Sequence, residues 1–187
     1  MRLLILLMVV SLMVVGCEGP TGPAGEDGNA NVKTGTISPT SAEWLWQGAY
    51  DFQTGTGTWT SYFTRYVNIP VAEITPDFIS TGLVLVFFEA VPGSGEWAPL
   101  PFQFTSFGSQ YNFNIVYEVE EGVIRLHYFY SINTAGATVP TLETAVIPTY
   151  TFKYMVIEGT ELQAMAASEI DISDHDRITE YLASPLF

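Results

Sequence analysis

From Val32 onward apolar and polar residues alternate in short blocks, with a period nearer two than 3.6. Over residues 59–69, Trp59, Phe63, Val67 and Ile69 fall on one face and Thr60, Thr64 and Asn68 on the other. This is the pattern of a strand with one side against a core. Tyr111, Phe113, Ile115, Tyr117 and Val119 alternate with Asn112, Asn114 and Glu118. Glu120-Glu121-Gly122 then turns the chain, and Val123–Ile132 returns with Ile124, Leu126, Tyr128, Tyr130 and Ile132 on one side. The pair predicts a hairpin. Residues 82–91 hold the unbroken run Leu83-Val-Leu-Val-Phe-Phe88, which predicts a strand buried on both faces at the centre of the fold. Further strands are predicted at 32–37, 44–50, 97–104 and, interrupted by Pro148, 145–157.

Helical signals are few and local. Thr75 can cap a helix, Pro76 suits its first position, Asp77 complements the dipole and Gly82 ends it. Residues 160–167 are rich in helix formers. Ser173, followed three places on by Asp176, reads as an N-cap for a helix running through Leu182. Seven or eight strands with short helical connections and a short C-terminal helix predict a mainly β domain over residues 31–187. An antiparallel β-sandwich or a jelly-roll-like fold satisfies that pattern.

The N-terminal thirty residues follow different rules. After Arg2, the run Leu3–Val15 is apolar except for Ser11, too short to span a membrane and suited to the core of a signal peptide. It ends in Val14-Val15-Gly16-Cys17, the pattern of a bacterial lipobox. Residues 1–16 are therefore expected to be a lipoprotein signal peptide, and Cys17 the lipidated N-terminus of the mature chain. Cys17 is the only cysteine, so no disulfide is expected and acylation accounts for the thiol. Gly19, Gly22, Gly25 and Gly28 keep a three-residue register with Pro20 and Pro23 between them, a collagen-like Gly-X-Y tract. So few triplets favour a polyproline-II spacer over residues 17–30 rather than a triple-helix nucleus.

Charge changes the picture of partners. With 20 acidic and 6 basic residues the net charge is −14, which repels nucleic acid and anionic lipid headgroups. Membrane contact is then expected through acyl chains alone. The address is the cell envelope, the outer membrane in particular, with the periplasmic or surface face open.

Catalytic chemistry is hard to assemble. Two histidines, His127 and His175, and no free thiol exclude a Cys/His pair, and Ser94 in Gly93-Ser-Gly95 lacks a nucleophile-elbow spacing. Glu89, Glu96, Glu118, Glu120 and Glu121 qualify for a glycosidase carboxylate pair by abundance only. Asp171, Ser173, Asp174, His175 and Asp176 cluster oxygen ligands, but helix capping explains them without a metal. No metal and no cofactor are expected.

Aromatic residues remain: four Trp, 10 Tyr and 12 Phe. Trp44, Trp46, Trp59 and Trp97 are candidate platforms for a sugar ring or other ligand. Trp44 and Trp46, two apart, would share a face in a strand. Core packing on pleated surfaces is the simpler use of each.

The segments Cys17-Glu-Gly-Pro-Thr-Gly-Pro-Ala-Gly-Glu-Asp-Gly-Asn-Ala-Asn-Val32, Ile74-Thr-Pro-Asp-Phe-Ile-Ser-Thr-Gly-Leu-Val-Leu-Val86, Trp97-Ala-Pro-Leu-Pro-Phe102 and Phe152-Lys-Tyr-Met-Val-Ile157 together resemble a group of uncharacterised bacterial lipoproteins with a short collagen-like tract. The resemblance implies a surface or periplasmic lipoprotein with an all-β domain, and it carries over no site residues. The expectation is a lipid-anchored, non-enzymatic envelope protein with a structural or assembly role, self-associating through edge strands or the Gly-X-Y tract. A glycan- or ligand-binding module is the alternative, and a carboxylate-dependent glycoside hydrolase a distant third.

Overall fold

A computed structural model describes residues 31–105, 108 and 110–184. The signal peptide, Cys17 and the Gly-X-Y spacer lie outside the described residues. Two antiparallel sheets face each other, a β-sandwich as the alternation predicts. Sheet A has the order β1 (Val32–Ile37), β9 (Thr151–Ile157), β4 (Leu83–Glu89), β5 (Trp97–Pro99). Sheet B has the order β2 (Leu45–Gly55), β3 (Thr58–Pro70), β8 (Val123–Ile132), β7 (Tyr111–Glu120), β6 (Phe102–Thr105).

Side-chain alternation assigns the faces. Val84, Val86 and Phe88 of β4 and Phe152 and Val156 of β9 meet Ile69, Ile115, Ile124, Leu126 and Tyr128 of sheet B in the main core. The other face of sheet A is covered as well: Phe87, Met155 and Ile157 pack against Met165 of α2 (Gly159–Ala167) and Ile178 of α3 (His175–Ala183). β4 is thus apolar on both faces because it lies between sheet B and the helices.

The short helix α1 (Pro76–Thr81) forms as its sequence predicts. The Thr75 hydroxyl accepts from the Phe78 amide (3.2 Å), and Pro76 sits in the first turn. A Cβ on Gly82 would collide with the Phe78 ring, so the glycine lets the chain leave the helix directly under that side chain. At the β7–β8 turn Gly122 takes φ +73°, the left-handed conformation that glycine adopts without strain.

Three expectations are corrected. Residues 97–104 form two strands, not one: the chain leaves sheet A after Pro99 and enters sheet B at Phe102, with Pro101, which has no amide hydrogen, between. The strand predicted over 145–157 begins only at Thr151. Residues before it are tied down individually, the Ile147 amide donating to Ser41 Oγ (3.1 Å) while the Ile147 side chain is buried. The last helix is capped one residue later than predicted: Asp174 Oδ1 accepts from the amides of Asp176 (3.0 Å) and Arg177 (3.1 Å), while Ser173 donates to Asp171 Oδ1.

Candidate functional site

The sheets differ in length. At about 3.4 Å per residue, the 13 residues of β3 span roughly 44 Å and the seven of β4 or β9 roughly 24 Å. Sheet B therefore runs past sheet A. The overhang lies at the β2–β3 turn, the end away from the β7–β8 turn. The inner face of sheet B keeps its apolar pattern there, but among the described residues no strand of sheet A covers it.

Trp46, Phe63 and Ile132 are exposed on this overhang, Phe63 by 65%. The rings of Trp46 and Phe63 lie nearly parallel, centroids 5.9 Å apart at 21°. With Tyr130 they floor a groove of about 620 Å³ whose opposite wall is the segment 139–143. That volume is in the range of small-ligand sites, about 300–1,000 Å³. Ser61, Thr141 and Glu143 supply its polar side chains.

Arg65 marks the boundary between groove and core. It pairs across strands with Trp46, and its guanidinium donates to three carbonyls: Trp44 O (2.9 Å from Nε), Ala145 O (2.7 Å) and Ser41 O (2.7 Å). A buried cation without a carboxylate partner is satisfied here by carbonyl dipoles. These bonds clamp the segment leading into β2 and the segment after the groove wall onto β3.

The four tryptophans go to four different places. Trp44 precedes β2 instead of belonging to it, and is 1% exposed, edge-on to Tyr128 and Phe152 at 6.0 and 6.2 Å. It shares no face with Trp46 and presents no platform, contrary to the expectation from their spacing. Trp46 lines the groove. Trp59, 60% exposed, stands near the β2–β3 turn outside the groove lining. Trp97 lies on the far side of the molecule beneath α3: its ring is 5.5 Å from His175, and Lys153 Nζ sits 4.4 Å over it. Lys153 donates to His175 Nε2 (3.0 Å), which places the ring proton on Nδ1, bonded to Asp176 Oδ1 (2.9 Å).

Of the carboxylates singled out by sequence, Glu89 and Glu118 lie on opposite sides of the sandwich, whereas Glu118 and Glu120 share one Arg125 nitrogen at 3.4 and 3.3 Å. Glu89 is on the helix-covered face of sheet A, accepting from the Gly95 amide (2.9 Å). Glu118 is on the outer face of sheet B, the opposite side of the sandwich. There its carboxylate accepts from Tyr50 Oη (2.6 Å) and from His127 Nε2 (2.9 Å), and Arg125 stands 3.4 Å away. Tyr50 reaches across β3 to stack on His127 with centroids 4.3 Å apart, over the row of the small, fully buried Thr64. Burial raises the affinity of Glu118 for its proton, but Tyr50, His127 and Arg125 outweigh it and hold the carboxyl below its ordinary value. Burial drives the His127 ring below its ordinary value against the pull of Glu118. Burial and the bond to Glu118 push the Tyr50 hydroxyl up to about 12.

A second groove, of about 670 Å³, runs between α1 and α2 and is lined by Glu73, Asp77 and Glu158 among others. Among the described residues no group of three or more His, Cys, Asp or Glu side chains is placed to hold a metal ion. No helix of them is long and apolar enough to cross a membrane. Sequence reasoning missed Phe63 and Tyr130 as groove residues. Their faces were readable from the alternation, but the absence of a covering layer was not. No family model matches this chain, and no curated protein or solved structure shows significant similarity to it.

Proposed function

We propose that this chain is a lipid-anchored protein of the bacterial cell envelope whose β-sandwich is a non-enzymatic ligand-binding module. The observation that carries the reading is the overhang: Trp46, Phe63 and Ile132 exposed together on a sheet face that is elsewhere the core. The anchor rests on the lipobox at Val14–Cys17 and the spacer on the Gly-X-Y register. Val32 pairs with Ile157 and, through it, sits beside Leu83, while Tyr117, near the β7–β8 turn, donates to Val84 O (2.8 Å). β1 thus begins at the end of the sandwich opposite the groove, which supports a groove directed away from an N-terminal anchor.

The test is retention of envelope material by the detergent-solubilised full-length protein. Retention by wild type and by Trp59→Ala, reduced at least tenfold in Trp46→Ala, is the expected result. Equal retention by all three, or none by any, sinks the reading. For the anchor, Cys17→Ala should block fatty-acid labelling and leave the precursor uncleaved; normal maturation of that variant would refute it.

The assembly role has its own support in β1, an edge strand of sheet A with Lys33 its single charged residue. Such an edge can pair with another chain. A concentration-dependent solution mass that disappears on Thr34→Pro would favour it.

A further inference from the structure

Taking the groove as the binding face, we infer that its ligand is a neutral carbohydrate chain. Charge narrows the class first. The lining holds one carboxylate, Glu143, and no cation. None of the described cations lines it: Arg65 is held on three carbonyls, Arg125 by Glu118 and Glu120, Lys153 by His175 and Trp97 and Arg177 by Glu180, while Lys33 stands on β1. In a chain of net charge −14, a uronate, sulfate or phosphate group entering the groove would lose its hydration, find no counter-charge and meet Glu143. The same repulsion disfavours a second copy of this acidic chain as the occupant.

Shape and donor chemistry narrow it further. Trp46 and Phe63 stack on each other, nearly parallel, and both line the groove, so the pair offers an exposed aromatic surface suited to the C–H face of a pyranose ring. Around that surface stand groups that exchange hydrogen bonds with hydroxyls: Ser61, Thr141 and the Glu143 carboxylate. An aromatic surface with a polar rim matches a sugar, whose rings have apolar faces and polar edges. A purely apolar ligand would leave the rim groups unpaired. The groove lies at the end of the sandwich opposite the start of β1, which suits a ligand outside an N-terminal anchor.

The experiment treats the envelope fraction in two ways before offering it to detergent-solubilised full-length protein. Periodate oxidation cleaves vicinal diols, and protease digestion removes polypeptide. Retention that survives protease, falls at least tenfold after periodate and is lost in Trp46→Ala and Phe63→Thr is the expected result. In parallel, titration with cellohexaose, chitohexaose and mannohexaose should shift the tryptophan fluorescence of wild type with at least one of them. Trp46→Ala should lose that shift, and polygalacturonate should produce none. Trp46-dependent retention that protease abolishes and periodate spares would overturn the carbohydrate class while leaving the groove as a binding face. A response to polygalacturonate equal to that of the neutral chains would overturn the charge argument. Retention indifferent to Trp46 and Phe63 would remove the groove itself. Phe63→Thr puts a residue of high strand preference on an exposed strand position, so a folded variant is available even if Trp46→Ala is impaired.

Discussion

Toward the β7–β8 turn the inner face of sheet B meets sheet A and closes over Ile124, Leu126 and Tyr128. Toward the β2–β3 turn the same face continues through Phe63 to Trp59, and among the described residues no strand of sheet A lies above it. The residue types are alike in the two regions, and so is the period of two. What differs is the length of the other sheet: seven-residue strands in β4 and β9 cannot cover a 13-residue β3. Burial along one strand is thus decided by elements far away in sequence. Trp44 and Trp46 mark the divide two residues apart, one sealed under Phe152 and one open to solvent.

The divide can be broken most forcefully from the buried side. Trp44→Ala removes a fully buried indole from between Tyr128 and Phe152 and should cost about 3–5 kcal/mol, seen as a Tm lower by roughly 10 °C or more. Trp44→Phe should cost far less, since among the described residues the indole Nε1 has no hydrogen-bond partner to lose. Equal melting temperatures for Trp44→Ala and wild type would contradict the assignment of Trp44 to the core. Arg65→Met comes next, at about 2–4 kcal/mol, because the carbonyls of Ser41, Trp44 and Ala145 lose their donor together. It should also loosen the 139–143 wall, measurable as faster amide exchange there. Exchange changes confined to β3 would argue against the clamp.

The strands were legible wherever a side chain's fate depended on its immediate neighbours. Alternation placed Trp59, Phe63, Val67 and Ile69 on one face, and Thr75-Pro76 with Gly82 bounded α1 to the residue. The buried β4 was readable because both of its faces are apolar. The site was not readable, because an apolar face does not announce whether another sheet reaches it. The same non-local cause defeated residues 145–150, whose β-like composition serves individual anchors such as Ile147 on Ser41. It also misled the pairing of Trp44 with Trp46, since the strand begins at Leu45, between them.

The outer face of sheet B offers a smaller and pH-dependent contrast, since it is closed by its own side chains instead of a second layer. Glu118→Ala leaves the Tyr50 hydroxyl and the buried His127 Nε2 without their acceptor and should cost about 1–3 kcal/mol. Acid should act on the same cluster in two steps. His127 has a folded value below its ordinary 6.5, so the unfolded chain takes up the proton first and stability falls as pH drops through about 6.5. Glu118, also held below its ordinary 4.5, contributes stability above that value and loses it as pH falls further. Urea midpoints measured from pH 7 to 4 should decline in wild type and decline less in His127→Phe. Parallel declines in the two proteins would remove His127 from the acid response.

The smallest stability effect is expected on the overhang, where it also carries the most functional weight. Phe63 is mostly exposed, and its main neighbour is the Trp46 ring. Threonine, like phenylalanine, favours a pleated surface, so Phe63→Thr should shift stability by less than about 1 kcal/mol. The same change removes one of the two stacked rings that line the groove and should weaken ligand retention at least tenfold. Core positions behave in the opposite way: a variant such as Ile124→Val should lower the melting temperature and leave retention by the folded fraction intact. If Phe63→Thr instead destabilised the protein as much as Arg65→Met did, Phe63 would be part of the fold's support, and the overhang would be an extension of the core instead of a surface held open for a partner.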